Sequence, residues 1–108
     1  MSSQYRLSQL LDELEETMMA SGLWQQPQPD AEAFLSTVPF CIDSMNFLQW
    51  LRYVFVARMR AILDAGAEIP SQVSISPLAE EYFRTAALDG KRVTELLRDI
   101  EQAMSGAS

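Results

Sequence analysis

Apolar residues recur along this chain at the three- and four-residue spacing of helices, and no stretch keeps the strict alternation of a half-buried strand. Leu7, Leu10, Leu11, Leu14 and Met18 form the first such face, on a predicted helix Tyr5–Ser21 that stops at Gly22. Leu23 follows the glycine, where a Schellman end would place an apolar contact. Asp12, Glu13, Glu15 and Glu16 then make the solvated face. The segment WQQPQP, Trp24–Pro29, has too many prolines for a helix and is expected to run extended over the surface. Asp30 suits the N-cap of a short helical turn, Ala31–Leu35.

The longest pattern covers Ser44–Ala65 and ends at Gly66, with Asp43 as the predicted N-cap and Ile42 and Phe47 at staple positions. On a wheel of about 100° per residue, Phe47, Leu48, Trp50, Leu51, Val54, Phe55, Met59 and Ile62 fill one wide arc. Such a helix is either wrapped by the others or meets another chain. Arg58 falls inside the arc, between Phe47 and Leu51. A guanidinium keeps its proton, so a buried Arg58 needs an anion. Asp43 lies roughly 22 Å away along a straight helix, out of reach. The expected partner is Glu80 on the next helix. An Arg58–Glu80 pair would fix the register of two helices, or offer the arginine to a carboxylate or phosphate ligand.

Ser76 followed by Pro77 marks the next start, serine as N-cap and proline in the first turn, of a helix running to about Ala87. Asp89-Gly90 breaks the chain, and Lys91–Met104 carries Val93, Leu96, Leu97, Ile100 and Met104 on one side. The predicted fold class is therefore all-α: a compact four-helix bundle with a long central helix as its third helical segment and an extra short helical turn. The expected organisation is a single domain, 1–108, with an ordered core of about 5–104.

Composition changes the picture mainly by exclusion. The 108 residues contain no histidine and one cysteine. Histidine-based acid–base chemistry, Ser-His and Cys-His nucleophiles and histidine metal ligands are thereby removed, as is an intramolecular disulfide. The stretch PFCIDSMNFLQWL, residues 39–51, gathers Cys41, Asp43 and several aromatics, and reads as a helix start with a core cysteine rather than a reactive site. Acidic clusters such as DELEE read as solvated faces, since carboxylate-bridged metal bundles use a Glu-x-x-His element. No metal or cofactor is expected. The net charge is −7, with no basic stripe to displace counterions from phosphates, which argues against direct nucleic-acid binding and suits a basic protein partner. No apolar run is long enough to span a bilayer and no signal-peptide pattern opens the chain, so the expected location is the cytoplasm, without membrane attachment.

The residues Ser36, Thr37, Pro39, Phe40, Asp43, Met45, Trp50, Leu51, Arg58 and Met59, with Ile69-Pro70 and the Pro77…Glu80 spacing, resemble the YqcC-like family of small bacterial proteins of unknown function. The likeness covers roughly Leu10 to Phe83. It departs at Ala57, where the family usually carries proline, so here the long helix is expected to pass straight through. The resemblance implies a helical bundle of the bacterial cytoplasm, and an association with a tRNA pseudouridine synthase. The preferred functional reading is a non-catalytic module that binds another protein, or itself, through an apolar patch at Trp24, Trp50 and Tyr53. The rivals are a small anion binder or weak enzyme around Arg58 and Glu80, and an accessory to the synthase.

Overall fold

The computed structural model describes residues 3–71 and 73–105. The predicted frayed ends lie largely outside that range, as does Gln72 within the predicted loop before Ser76. Helix α1 is Ser3–Ala20; 3-10 turns follow at Ala31–Leu35 and Pro39–Cys41. Helix α2 is continuous over residues 47–65, α3 is Ser76–Ala86 and α4 is Lys91–Ser105. Among the described residues there is no strand.

Three helices end the same way. After α1, the Leu23 amide donates to the Met18 carbonyl at 2.8 Å with Gly22 left-handed at φ 77°. After α2, Ala67 donates to Ile62 at 3.0 Å around Gly66, and after α3, Leu88 donates to Phe83 at 3.0 Å around Ala87. These are Schellman ends, in which the reversed residue lets orphan carbonyls find donors.

Helices α1 and α4 lie along each other, and the core is drawn from them and from α2, which buries Phe47, Leu48, Leu51, Phe55, Val56 and Met59. The most deeply buried side chains are Leu7, Leu10, Leu11, Leu14 and Met18 from α1, and Val93, Leu96, Leu97, Ile100 and Met104 from α4; from α2 only Leu51 is as deep. The long helix, as its wide apolar arc predicts, lies in the core through its own buried side chains. It packs across the α1–α4 pair, and Arg60 ties it to α1 through Glu15 at 2.7 Å and Asp12 at 2.6 Å. Burial opposes the charge on Arg60, but the hydrogen bonds and charges of Glu15 and Asp12 outweigh it and hold the guanidinium above its ordinary pKa.

Helix α2 also does not pass straight through. Phe47–Trp50 is α-helical, Leu51–Val56 is a π turn, and Ala57–Ala65 is α-helical again. A π turn takes about one residue more than an α turn, so everything after it slips back by roughly 100° on the wheel. Arg58, at about 20° on an uninterrupted wheel with Phe47 at zero, moves to about −80°; Met59 moves from about 120° to about 20°. The observed burial follows this shift: Met59 is 3% exposed, while Arg58 lies on the exposed side.

One long-range contact fixes α3 to α4. The Glu101 carboxylate of α4 accepts from the Ser76 amide at 2.7 Å, from the Ser76 hydroxyl at 2.9 Å and from the Ile75 amide. A carboxylate so placed satisfies orphan donors and faces the positive end of the helix dipole. Glu101→Ala is expected to cost about 2 kcal/mol, because two amides in a half-buried site lose their acceptor. A lowered urea midpoint at unchanged slope is the readout.

Candidate functional site

The structure separates the residues that the sequence pattern joins. The predicted Arg58–Glu80 pair does not exist: Glu80 binds Arg98 of α4 at 2.8 Å, and Arg58 has been turned to solvent by the π turn. The ion pair of α3 is thus made with α4, while its contact with α2 is aromatic, Phe47 against Tyr82 and Phe83. Asp43 is not the cap of the long helix; it accepts a hydrogen bond from the Ser36 hydroxyl at 2.6 Å. The cap is Asn46. Its side chain accepts from the Gln49 amide at 2.8 Å while the Gln49 side chain accepts from the Asn46 amide at 2.9 Å. A cap at Asp43 would have put Asn46 three residues in, with no Glu or Gln to reach back, whereas Asn46…Gln49 completes a capping box. That Asn-x-x-Gln spacing was visible in the sequence.

Ser76 makes no capping bond with its own helix; Ile75 occupies the N-cap position and Glu101 supplies the acceptor. Nothing local in the sequence announces a partner twenty-five residues away. Asp30 likewise makes no side-chain cap bond to the turn that follows it.

Trp24, Trp50 and Tyr53 do not form one exposed patch, and all three are half-buried. The Arg52 guanidinium lies 4.7 Å from the centre of the Trp24 ring and 4.9 Å from that of Tyr53, and donates to the Trp24 carbonyl at 2.6 Å. Tyr53 donates its hydroxyl to the Gln26 carbonyl at 2.8 Å, and the Gln49 amide side chain donates to the Pro27 carbonyl at 2.9 Å. These bonds pin the extended strap 24–29 along α2, so two members of the expected patch are occupied with folding. Trp50 packs elsewhere, edge-on to Phe40 at 5.0 Å and stacked with Phe55 at 5.7 Å.

The surface the sequence did not single out is the turn before α2. Phe40 and Cys41 are consecutive non-glycine residues in the left-handed region, at φ 61° and 49°. Such residues cost of order 1–3 kcal/mol each and persist only where the surroundings over-determine them. Here the Cys41 carbonyl accepts from the amides of Ser44 and Met45, both at 3.0 Å, and the Cys41 amide donates to Val38 at 3.0 Å. The turn directs the Phe40 ring onto Trp50 and leaves Ile42 61% exposed. Ile42 therefore makes no staple over Phe47, which is itself buried. Cys41 is half-buried, not a core residue.

Between this turn and the outer face of α3 lies a groove of about 250 Å³ walled by Phe40, Ile42, Met45, Phe47, Leu78 and Tyr82. Asn46, Glu81 and Thr85 are its polar edge. Earlier in the same connecting segment Leu35 is 77% exposed, and Phe34 and Val38 are exposed beside it in sequence. A larger recess of about 380 Å³ lies at the α3–α4 corner, lined by charges of both signs, with Arg98 bound to Glu80 and Arg84 to the neighbouring Glu81. The groove can bury an apolar side chain. Among the described residues no cluster of Cys, Asp and Glu could hold a metal ion, and no helix is long and apolar enough to cross a membrane.

Residues 6–103 match the DUF446 family, whose description reads tRNA pseudouridine synthase C. The chain belongs to this family. DUF446 relatives include an uncharacterised protein of Haemophilus influenzae, 48% identical over 76 residues that make up 70% of this chain and 72% of that one. Another is protein YqcC of Escherichia coli, uncharacterised, 28% identical over 94% of this chain and 91% of its own. The solution NMR structure of Escherichia coli YqcC superimposes with a TM-score of 0.85 at 25% identity, covering 100% of this chain and 92% of that one. The YqcC-like resemblance read from the sequence and the all-helical fold are thus both established. A Pectobacterium carotovorum protein named tRNA pseudouridine synthase C is 40% identical over 70 residues, which are 65% of this chain but only 19% of that protein.

Proposed function

We propose that this DUF446 chain is a non-catalytic binding module whose groove receives an apolar side chain presented by a basic surface of a partner protein, and that the partner is a tRNA pseudouridine synthase. The observation that carries the reading is the strained Phe40–Cys41 turn holding Ile42 exposed beside an apolar groove. Strain maintained at a surface turn, and an apolar groove left open next to it, are features a folding role alone does not call for. The edge of the groove carries Glu81, Asp43 lies within the turn, and the chain has net charge −7. An apolar seat on a chain of this net charge complements a partner with basic residues around an apolar anchor.

Support for the synthase as partner is twofold. The family description names that enzyme, and in the Pectobacterium protein of that name a segment similar to this chain is part of a much longer polypeptide. Enzymes that act on tRNA must present basic surface to phosphates, the kind of surface an acidic module complements. This reading puts the chain in the cytoplasm, with tRNA itself bound by the enzyme and not by the module.

The test is calorimetric titration of the purified chain into the tRNA pseudouridine synthase of the same organism. Wild type is expected to bind with a Kd in the micromolar range, weakening as salt rises. Ile42→Asp is expected to weaken binding at least tenfold with an unchanged melting temperature, since Ile42 is a surface residue whose folding contribution is small. Absence of heat with wild type, or equal affinity for Ile42→Asp, contradicts the proposal.

A further inference from the structure

A second cavity, of about 280 Å³, opens on the other side of Phe40, between α2, the loop before α3 and the end of α4. Its walls are Phe55, Met59, Ile75 and Met104, all buried, with Trp50 and Phe40 closing it toward the groove. Among the described residues Arg58 is the only charged one lining it, and both Arg58 and Ser74 are exposed at its edge.

We propose that this cavity binds a small amphiphilic carboxylate, its hydrocarbon among Met59, Ile75 and Met104 and its headgroup on Arg58. Two independent observations carry the assignment. The first is charge: in a chain of net charge −7, Arg60, Arg84, Arg92 and Arg98 each bind a carboxylate, and Arg52 is held by two rings and a carbonyl. Arg58, like Arg6 and Lys91, has no such partner among the described residues, and it stands at the edge of this apolar cavity. A guanidinium offers a planar fork of donors that matches a carboxylate in two parallel hydrogen bonds. The second is the π turn Leu51–Val56. Such turns are rare and cluster at functional sites, and this one has a specific result: it takes Arg58 off the apolar arc and sets it at the cavity edge while turning Met59 inward. An uninterrupted α-helix would instead carry the guanidinium into the buried position that Met59 now fills. An apolar pocket with one convergent polar group is the usual form of a small-molecule site, and this volume suits a short chain rather than a long lipid.

The test is NMR of the full chain with labelled methionine methyl groups, titrated with decanoate below its micelle-forming concentration. Met59 and Met104 report the cavity, Met45 reports the separate groove, and Met19 serves as an exposed control. Decanoate is expected to shift Met59 and Met104 saturably, and decanol to bind at least tenfold more weakly. Arg58→Gln is expected to weaken decanoate at least tenfold and to leave decanol unchanged, with Arg58→Lys intermediate. The proposal is overturned if no saturable shift occurs, if the shifts fall on Met45 instead, or if decanoate binds Arg58→Gln as tightly as wild type. Arg58 is on the surface, so these variants report binding without disturbing the fold.

Discussion

Gly90→Ala is expected to lower stability by about 3 kcal/mol, a large fraction of what a domain of this size possesses. Gly90 is buried at the start of α4, its carbonyl accepting from the Thr94 amide at 2.8 Å and the Thr94 hydroxyl at 2.9 Å. The Phe83 ring of α3 packs against it, so an alanine Cβ would overlap the ring carbons Cγ, Cδ2 and Cε2. Phe83 is buried and in edge contact with Phe47 and Tyr82, and cannot swing aside without disturbing the α2–α3 contact. The conflict is one of space. Gly66 provides the contrast: it is left-handed at φ 64°, and a Cβ there would meet no atom within 4 Å, so Gly66→Ala should cost only the backbone strain, about 1 kcal/mol. Urea unfolding of both variants checks the ranking. Phe83→Leu in the Gly90→Ala background should recover part of the loss, because the two residues are directly coupled.

The second large effect concerns the phase of α2. Exchanging the neighbours, Arg58→Met with Met59→Arg, is expected to cost about 4 kcal/mol or more, because it sends an unpaired guanidinium into a site that is 3% exposed. Arg58→Met alone should change stability by no more than about 0.5 kcal/mol. A helix of unbroken 3.6-residue period predicts the opposite sign, since position 58 would then face the core and the exchange would remove a buried charge. The direction of the change in urea midpoint decides between the two geometries.

That same phase explains where sequence reading succeeded and where it stopped. The helices of α1, α3 and α4 were legible because their apolar spacing is uninterrupted and their ends carry local signals, Gly22 and Leu23 after α1, Pro77 in the first turn of α3, Gly90 before α4. For α2 the wheel is reliable only up to Trp50. Beyond the π turn each residue sits one position away from its ideal place, so Arg58 read as buried and its pairing with Glu80 followed from that error. No single residue marks a π turn, and the Ala57 that suggested an unbroken helix lies immediately after it. The Asp43 cap failed for a different reason, a local competition that Asn46 wins because Gln49 completes its capping box. The exposed apolar surface lies away from the predicted patch because bulk does not imply exposure. Trp24 and Tyr53 are large, but their surroundings are Arg52 and the strap carbonyls. The exposed apolar surface belongs instead to Leu35 and Ile42, in turns with no helical period to draw attention to them.

The groove beside Ile42 is the feature on which the functional reading turns, and site-directed photo-crosslinking addresses it most directly. A benzophenone side chain introduced at position 42, and in a separate chain at the exposed Glu16 of α1, is irradiated in the presence of the purified synthase. A covalent adduct with the synthase from position 42 and none from position 16 is the predicted result. An adduct from position 16 alone, or from neither position, would contradict it.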